Sequence, residues 1–310
     1  MSGPRRRVIH TAQALVDEVL EVPGLPRRGQ NVMATSARRY AGGAVNILLA
    51  AARSGATCVH AGAHGTGPNG DLVRDALVAE GVTLSSPRLR DLDTGVCVVL
   101  LEESAERTFV TTMGAERCVT TQTFGSSHPE PGDLVCLSGY SLLPPVCDPL
   151  LAFLDGLAPG VEVVLDPGAA FSALPEELRA HVLARTTVWT SNAEEAAAVT
   201  GVEAFQEAPA QLSALLPESA VAIVRDGARG CAVRLGGRTA YVPGFPQEPV
   251  DTNGAGDCHT GVLVACRAAG MDWAQACRRA NAAAAVKVTR RGPASAPTAP
   301  EIDDFLAALT

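Results

Sequence analysis

Val250-Asp251-Thr252-Asn253-Gly254-Ala255-Gly256-Asp257-Cys258-His259-Thr260-Gly261 sets a carboxylate directly behind a glycine-rich turn. Upstream, Ala240-Tyr241-Val242 reads as a short strand; downstream, Thr260 to Ala269 is a small-and-apolar run of helical length. The turn therefore belongs at a helix N-terminus. There the first amides lack an intrahelical partner and the helix dipole favours negative charge, which suits a phosphate or a phosphoryl group in transfer. Gly254, Ala255 and Gly256 let the backbone approach an anion closely, with Asp257 beside it. An Asp before a helix is also a common N-cap and a glycine pair a common turn, so spacing alone leaves both readings open.

Around this turn lie 310 residues, 47% hydrophobic and 19% charged, the composition of an ordinary globular protein. No linker divides them, so one large domain over residues 1–310 with an appendage is expected. A net charge of -8 argues against a nucleic-acid backbone as the main partner. The nine cysteines are scattered and show no Cys-x-x-Cys spacing, which favours buried reduced thiols over a zinc site or redox pair. Without an apolar run of transmembrane length or a signal-peptide pattern, the expectation is a cytoplasmic protein with no membrane partner. Arg5-Arg6-Arg7 reads as a solvated start.

Working outward, Val8 to Val22 is β-branched-rich and reads as one first strand carrying Asp17, either an exposed strand position or a ligand contact. A carboxylate is a natural acceptor for a vicinal diol. Ala41-Gly42-Gly43-Ala44-Val45-Asn46 precedes a helical Ile47 to Ala56; its glycines admit a ligand to the backbone, and Asn46 offers both donor and acceptor. Gly65-Thr66-Gly67-Pro68-Asn69-Gly70 stands between a strand-like Thr57 to Ala63 and a helical Asp71 to Glu80. That is the context of a dinucleotide fingerprint, so a nicotinamide-dependent oxidoreductase is the rival reading, weakened by Pro68 and by the motif's place outside the first βα unit. Thr94 to Leu101 and Arg107 to Thr112 alternate like a hairpin turning at Glu102 to Glu106.

The middle of the chain alternates as an α/β sheet does. Strands are expected at Asp133–Leu137, Val161–Leu165 and Thr187–Thr190, with helices at Asp148–Leu157, Pro175–Ala184 and Ala193–Thr200. Polar residues gather at the strand C-termini: Ser138-Gly139-Tyr140, Asp166-Pro167-Gly168 and Ser191-Asn192. Asn192-Ala193-Glu194-Glu195 is by itself a capping box. Arg225-Asp226-Gly227-Ala228-Arg229-Gly230 closes the apolar strand Val221 to Val224.

Asp251-Thr252-Asn253-Gly254-Ala255-Gly256-Asp257 resembles the C-terminal signature of the ribokinase-like sugar kinases, the PfkB carbohydrate kinase family. Gly42-Gly43 with Asn46 resembles its N-terminal glycine-pair signature, with two intervening residues instead of three, and the resemblance runs from Asp17 to Phe305. It implies a ribokinase-like three-layer α/β/α fold with a mostly parallel central sheet. It also implies a small β-sheet lid from about residues 18–41 and 94–113, through which a homodimer forms. The implied activity is transfer of the γ-phosphoryl group of Mg-ATP to a hydroxymethyl group of a carbohydrate. A nucleoside acceptor is the alternative, and a non-catalytic sugar sensor a third reading.

By that resemblance Asp257 is the general base, and the amides of Gly254, Ala255 and Gly256 form an anion hole. Asp17, Gly42, Gly43, Asn46 and Tyr140 meet the acceptor. Asn192 and Glu195 organise water around phosphate-bound Mg²⁺, which sheds its hydration reluctantly. Arg225, Gly227, Gly230, Gly256 and Asn281 border the nucleotide. Asp251 and the Asn253 carbonyl, with carbonyls near Lys287, Arg290 and Gly292, match positions that bind potassium in some relatives. Three departures lower ribose itself as acceptor: Leu15 where ribokinases proper carry Asn, Gly43 or Ala44 where they carry Lys, and Gly139-Tyr140 where they carry Glu. Glu116 receives no role.

Overall fold

The computed structural model describes residues 6–104 and 106–309. Arg5 of the basic cluster and Ala105 of the hairpin turn lie outside the described residues. The strands, in chain order, are β1 (Arg7–His10), β2 (Ala14–Val22), β3 (Ser36–Gly43), β4 (Thr57–His60), β5 (Thr83–Leu84), β6 (Val96–Glu102), β7 (Arg107–Thr111), β8 (Leu134–Ser138), β9 (Glu162–Asp166), β10 (Val188–Asn192), β11 (Val221–Arg225), β12 (Gly230–Leu235) and β13 (Arg238–Pro243). Among the described residues they form a nine-stranded sheet, ordered β13-β12-β11-β10-β9-β8-β1-β4-β5, and a four-stranded sheet, β3-β2-β6-β7. All neighbours from β11 across to β5 are parallel, while β12 and β13 return antiparallel.

The helices are α1 (Ala44–Arg53), α2 (Pro68–Ala79), α3 (Thr121–Gly125), α4 (Cys147–Asp155), α5 (Glu176–Arg185), α6 (Ala193–Thr200), α7 (Ala208–Ser213), α8 (Ala255–Ala268), α9 (Trp273–Val288) and α10 (Ala299–Ala307). Successive strand residues point to opposite faces, so a sheet covered on both sides needs apolar residues at consecutive positions. Val8, Cys58, Leu134 and Ile223 face one side, with Leu48 of α1, Leu77 of α2, Val262 of α8 and Ala280 of α9. Ile9, Val59, Val135 and Val224 face the other, with Phe124 of α3, Leu150 of α4, Val182 of α5 and Ala196 of α6. The result is the expected α/β/α layering.

Three expectations need correction. Val8 to Val22 is not one strand: β1 ends at His10 in the large sheet, and β2 starts at Ala14 in the small one. Between them Thr11 N donates to Cys136 O and Ala44 N to Gln13 O, at 3.0 and 2.9 Å. These tertiary bonds break a β-branched-rich stretch in two, and Asp17 consequently lies within the small sheet, in register with Tyr40 and Cys97. Helices α1 and α8 begin at Ala44 and Ala255, so both glycine turns lead straight into the first helical turn. Finally, Gly65–Gly70 does lead into a helix, but Asp93 fills that N-terminus. Its carboxylate accepts from the Asn69 and Gly70 amides at 3.1 and 2.8 Å, leaving these amides unavailable to a dinucleotide phosphate.

The β6–β7 hairpin is tied at its base by one side chain. Glu116 is 2% exposed, and its two oxygens accept from the Gly95 and Gly114 amides at 2.7 and 2.9 Å. A Cβ on Gly114 would stand 2.3 Å from Gly95 N, so the two ends of the hairpin segment touch. Of the nine thiols, all free, Cys118 alone is exposed.

Candidate active site

Helices α1 and α8 approach closely because Gly261 has no side chain: a Cβ there would lie 2.4 Å from Ile47 O and 2.6 Å from Ala50 Cβ. The close crossing brings their N-termini side by side, and Asn46 Nδ2 donates to Asp257 Oδ2 at 3.0 Å. Each helix starts from a glycine in a conformation hostile to other residues. Gly254 has φ 76° and Gly43 φ 63°. A Cβ would meet Pro293 O at 2.7 Å in the first case and Gln13 O at 2.4 Å in the second. No side chain caps α8. The Ala255 amide bonds Thr252 O at 3.2 Å, whereas the amides of Gly254, Gly256 and Asp257 have no acceptor among the described residues. Free amides at a helix start invite an anion.

Burial, and next the Asp166 carboxylate, push the Asp257 carboxyl up to about 6, against the opposing pull of Asn46, Arg225 and Lys287. Asp17 is pushed up to about 7 by burial and by the charge of Asp257. Its carboxylate rests on Gly42, where a Cβ would fall 2.1 Å from Oδ2. Two buried polar atoms nearby have no partner, Asn46 Oδ1 and Gln13 Nε2. Gln13 Oε1 accepts from Ser141 Oγ at 3.1 Å, which fixes the amide. Unpaired buried groups of this kind cost stability unless a ligand satisfies them, and donor and acceptor together suit hydroxyl groups. Tyr140 is half-exposed, its ring against Gly168. Burial and the Glu195 charge hold its hydroxyl above the usual range.

On the other side of Asp257 lies a charged group built from three strand ends. Arg225, at the end of β11, donates through Nη1 to Gly256 O and Thr260 Oγ1 at 3.0 and 2.6 Å. Its Nη2 reaches Asp166 Oδ2, at the end of β9, at 3.5 Å, and Thr260 Oγ1 donates to the same oxygen at 3.2 Å. Asn192, ending β10, forms the expected capping box with Glu195: Oδ1 accepts from Glu195 N at 2.7 Å and Glu195 Oε2 from Asn192 N at 2.9 Å. Burial and then Asp166 raise the Glu195 carboxyl. The Asp166 carboxylate beside the raised Glu195 carboxyl favours a cation between the two, which fits Mg²⁺. Because Mg²⁺ sheds its water reluctantly, such an ion would be held mainly by phosphate and water, with these carboxylates beside it.

The remaining sequence candidates sit as follows. Gly227, at φ 50°, is open to solvent, while a Cβ on Gly230 would meet Val242 O at 2.2 Å, so this glycine serves strand packing. Asn281 is 6% exposed; its Nδ2 donates to Val242 O and Pro243 O, both at 3.1 Å, and its Oδ1 meets His259 Nε2 at 3.1 Å. The amide is thus spent inside the protein. Asp251 Oδ1 accepts from Asn253 N and Oδ2 from Gly292 N, both at 2.9 Å, and Lys287 Nζ donates to Asp251 O at 2.8 Å. Arg290 pairs outward with Glu301 at 2.6 Å. Asp166, named only among the polar strand ends, and Thr260 and Gln13 have no site role in the sequence analysis. Asp166 carried a usable signal, an acid at a parallel strand's C-terminus before Pro167-Gly168. Gln13 carried none.

A cavity of about 230 Å³ separates the small sheet from the segment before Gly254, with Glu21, Arg38, Tyr40, Arg107 and Arg291 in its walls. No helix among the described residues is long and apolar enough to cross a membrane.

Residues 8–300 match the pfkB family carbohydrate kinase. The chain is 30% identical over 301 residues to the uncharacterised sugar kinase YegV of Escherichia coli (strain K12), covering 96% of this chain and 93% of that protein. It superimposes on the ribokinase of Giardia lamblia with a TM-score of 0.85 at 21% identity, over 99% of this chain and 100% of that one. A putative ribokinase II from Escherichia coli, solved in complex with ATP and Mg²⁺, superimposes with a TM-score of 0.80 at 24% identity, over 98% and 99% of the two chains.

Proposed function

Because this chain belongs to the pfkB family of carbohydrate kinases, we propose that it moves the γ-phosphoryl group of Mg-ATP to a hydroxymethyl group of a carbohydrate, with Asp257 as general base. The observation that carries the assignment is Asp257 itself. It stands in the first turn of α8 beside amides without acceptors, is bonded to Asn46, and has a carboxyl at about 6. A base of that strength is ionised at neutral pH yet can still hold a proton in passing.

Asp257 takes the proton of the attacking hydroxyl, and the Gly254 and Gly256 amides face the charge that develops on the transferred group. Asp17 and the unpaired atoms of Asn46 and Gln13 orient the acceptor hydroxyls. Arg225, fixed by Gly256 O and Asp166, brings positive charge to the phosphate side. Glu195, Asn192 and Asp166 would hold the hydrated Mg²⁺, which neutralises phosphate charge when bound. The four-stranded sheet acts as a lid that excludes water competing for the phosphoryl group. Exposed Phe109 and Val110 on its edge strand support pairing with a second copy, which light scattering on the eluting protein tests. The ATP donor and the eight buried free thiols accord with a cytoplasmic setting.

ADP formation across pentoses, hexoses, ketoses, sugar acids, sugar phosphates and nucleosides tests the proposal, with Asp257→Asn alongside. The anionic acceptors are included because Arg38, Arg107 and Arg291 wall the cavity beside the lid. An acceptor-dependent rate lost in the variant supports it. Turnover retained in a folded Asp257→Asn protein removes Asp257 as base.

A further inference from the structure

Lys287 lies in the last turn of α9, at the end of the alanine run Ala282–Ala285, and its side chain is 0% exposed. A buried ammonium is costly unless its charge and hydrogens are matched. Here Nζ donates to the Asp251 carbonyl at 2.8 Å, in the field of the Asp251 and Asp257 carboxylates, with Arg107 as the opposing charge. Asp251 begins the turn that delivers Gly254 and Asp257. Its neighbours fix the same segment: Val250 N and Asp251 N both donate to Val288 O, at 2.7 and 3.0 Å, and Gly292 N to Asp251 Oδ2 at 2.9 Å. The segment before the anion hole is therefore fastened to the end of α9, and the one charged fastener from that helix is Lys287.

The family resemblance assigns a potassium ion to Asp251, Asn253 and the carbonyls near Lys287, Arg290 and Gly292. The residues present do not fit it. The Asp251 carbonyl already faces an ammonium, both Asp251 carboxylate oxygens accept from amides, and a second cation on that carbonyl would meet Lys287 within a few ångströms.

We infer that Lys287 is a built-in cation that positions the Asp251–Gly256 turn, so that this kinase needs no added monovalent cation. Lys287 acts through the turn and touches neither substrate. Its turnover arm rests on the kinase reading above, whereas its unfolding arm does not.

The test compares unfolding temperature and turnover in potassium, ammonium and choline chloride at equal ionic strength, for the wild type, Lys287→Ala and Lys287→Met. The wild type should unfold at one temperature and turn over at one rate in all three salts. Lys287→Ala opens a polar space: its unfolding temperature should fall by several degrees in choline and recover in about 0.1 M potassium or ammonium, by mass action on the folded state. Its kcat should fall about 10-fold or more in choline, with the KM for ATP little changed, and return with either ion. Lys287→Met fills the space without charge; it should keep the low kcat and ignore the salts. Potassium raising the wild type's melting temperature or rate, Lys287→Ala indifferent to salt, or Lys287→Met with wild-type kcat would each overturn the inference. Absence of turnover in every salt fails the kinase reading alone, and the melting temperatures still decide the role of Lys287.

Discussion

Asn46 on α1 and Asp257 on α8, 211 positions apart in sequence, share a hydrogen bond of 3.0 Å. The amide donates to the ionised carboxylate and so favours it, which makes Asn46 the first of the groups, with Arg225 and Lys287, that oppose burial at the proposed base. Asp257→Asn should lower kcat about 10²- to 10⁴-fold while ATP still binds, measured by ADP formation and calorimetry. Asn46→Ala should move the midpoint of the pH–rate profile above that of the wild type. An unmoved midpoint would break the link between the two residues.

Activity should climb with pH as the two raised carboxyls ionise, Asp257 near 6 and Asp17 near 7. Stability runs the opposite way. Each group has a folded pKa above the unfolded value of 3.8, so its contribution is fully present below that value and is lost as pH rises through 6 to 7. Asp17→Asn should accordingly raise the unfolding temperature at pH 8 and leave it near the wild-type value at pH 3.5. Thermal melts at both pH values check the sign.

Gly261→Ala should force α1 and α8 apart, because its Cβ would meet backbone at 2.4 Å and neither helix can yield without moving the N-terminus it carries. A cost of about 1–3 kcal/mol is expected, read from denaturant melts, together with a lower kcat as Asn46 and Asp257 lose register. A fully stable, fully active variant would show that the close crossing does not set the site.

Chelation of divalent ions should abolish ADP formation, with recovery on adding Mg²⁺. Glu195→Gln should retain the helix cap in weakened form, since a neutral amide oxygen still accepts from Asn192 N, yet raise the Mg²⁺ needed for half-maximal rate several-fold. An unchanged Mg²⁺ requirement would confine Glu195 to capping.

Much of the architecture is local in origin and so legible from sequence. The helix expected at Ala193–Thr200 has those limits in the structure, because Asn192 and Glu195 cap it and Gly201 ends it in the left-handed region. Strands β8 to β11 announce themselves as short apolar runs before polar residues. What eludes reading depends on distant partners. Nothing within Val8–Val22 marks the break at Thr11–Gln13, which is fixed by Cys136 and Ala44. The glycines of Gly65–Gly70 look free until Asp93 arrives from 23 residues away. Asn281 is set beside the nucleotide by resemblance alone, yet β13 claims its amide. Lys287 marks itself in the sequence only as a neighbour of cation-binding carbonyls, and the ammonium set against the Asp251 carbonyl shows only in the structure.

The Glu116 clasp bears on how specificity can change over evolutionary time. Since Gly95 and Gly114 touch and share one carboxylate, the chain leaves and re-enters the main body at a single point. Between them β6 is paired to β2 from Val96 to Glu102, so only the turn beyond Glu102 can change length without redirecting the backbone on either side. The hairpin turn is thus a replaceable part, and trading it between relatives offers a route to new acceptors while Arg107, which pairs with Asp251, stays in place.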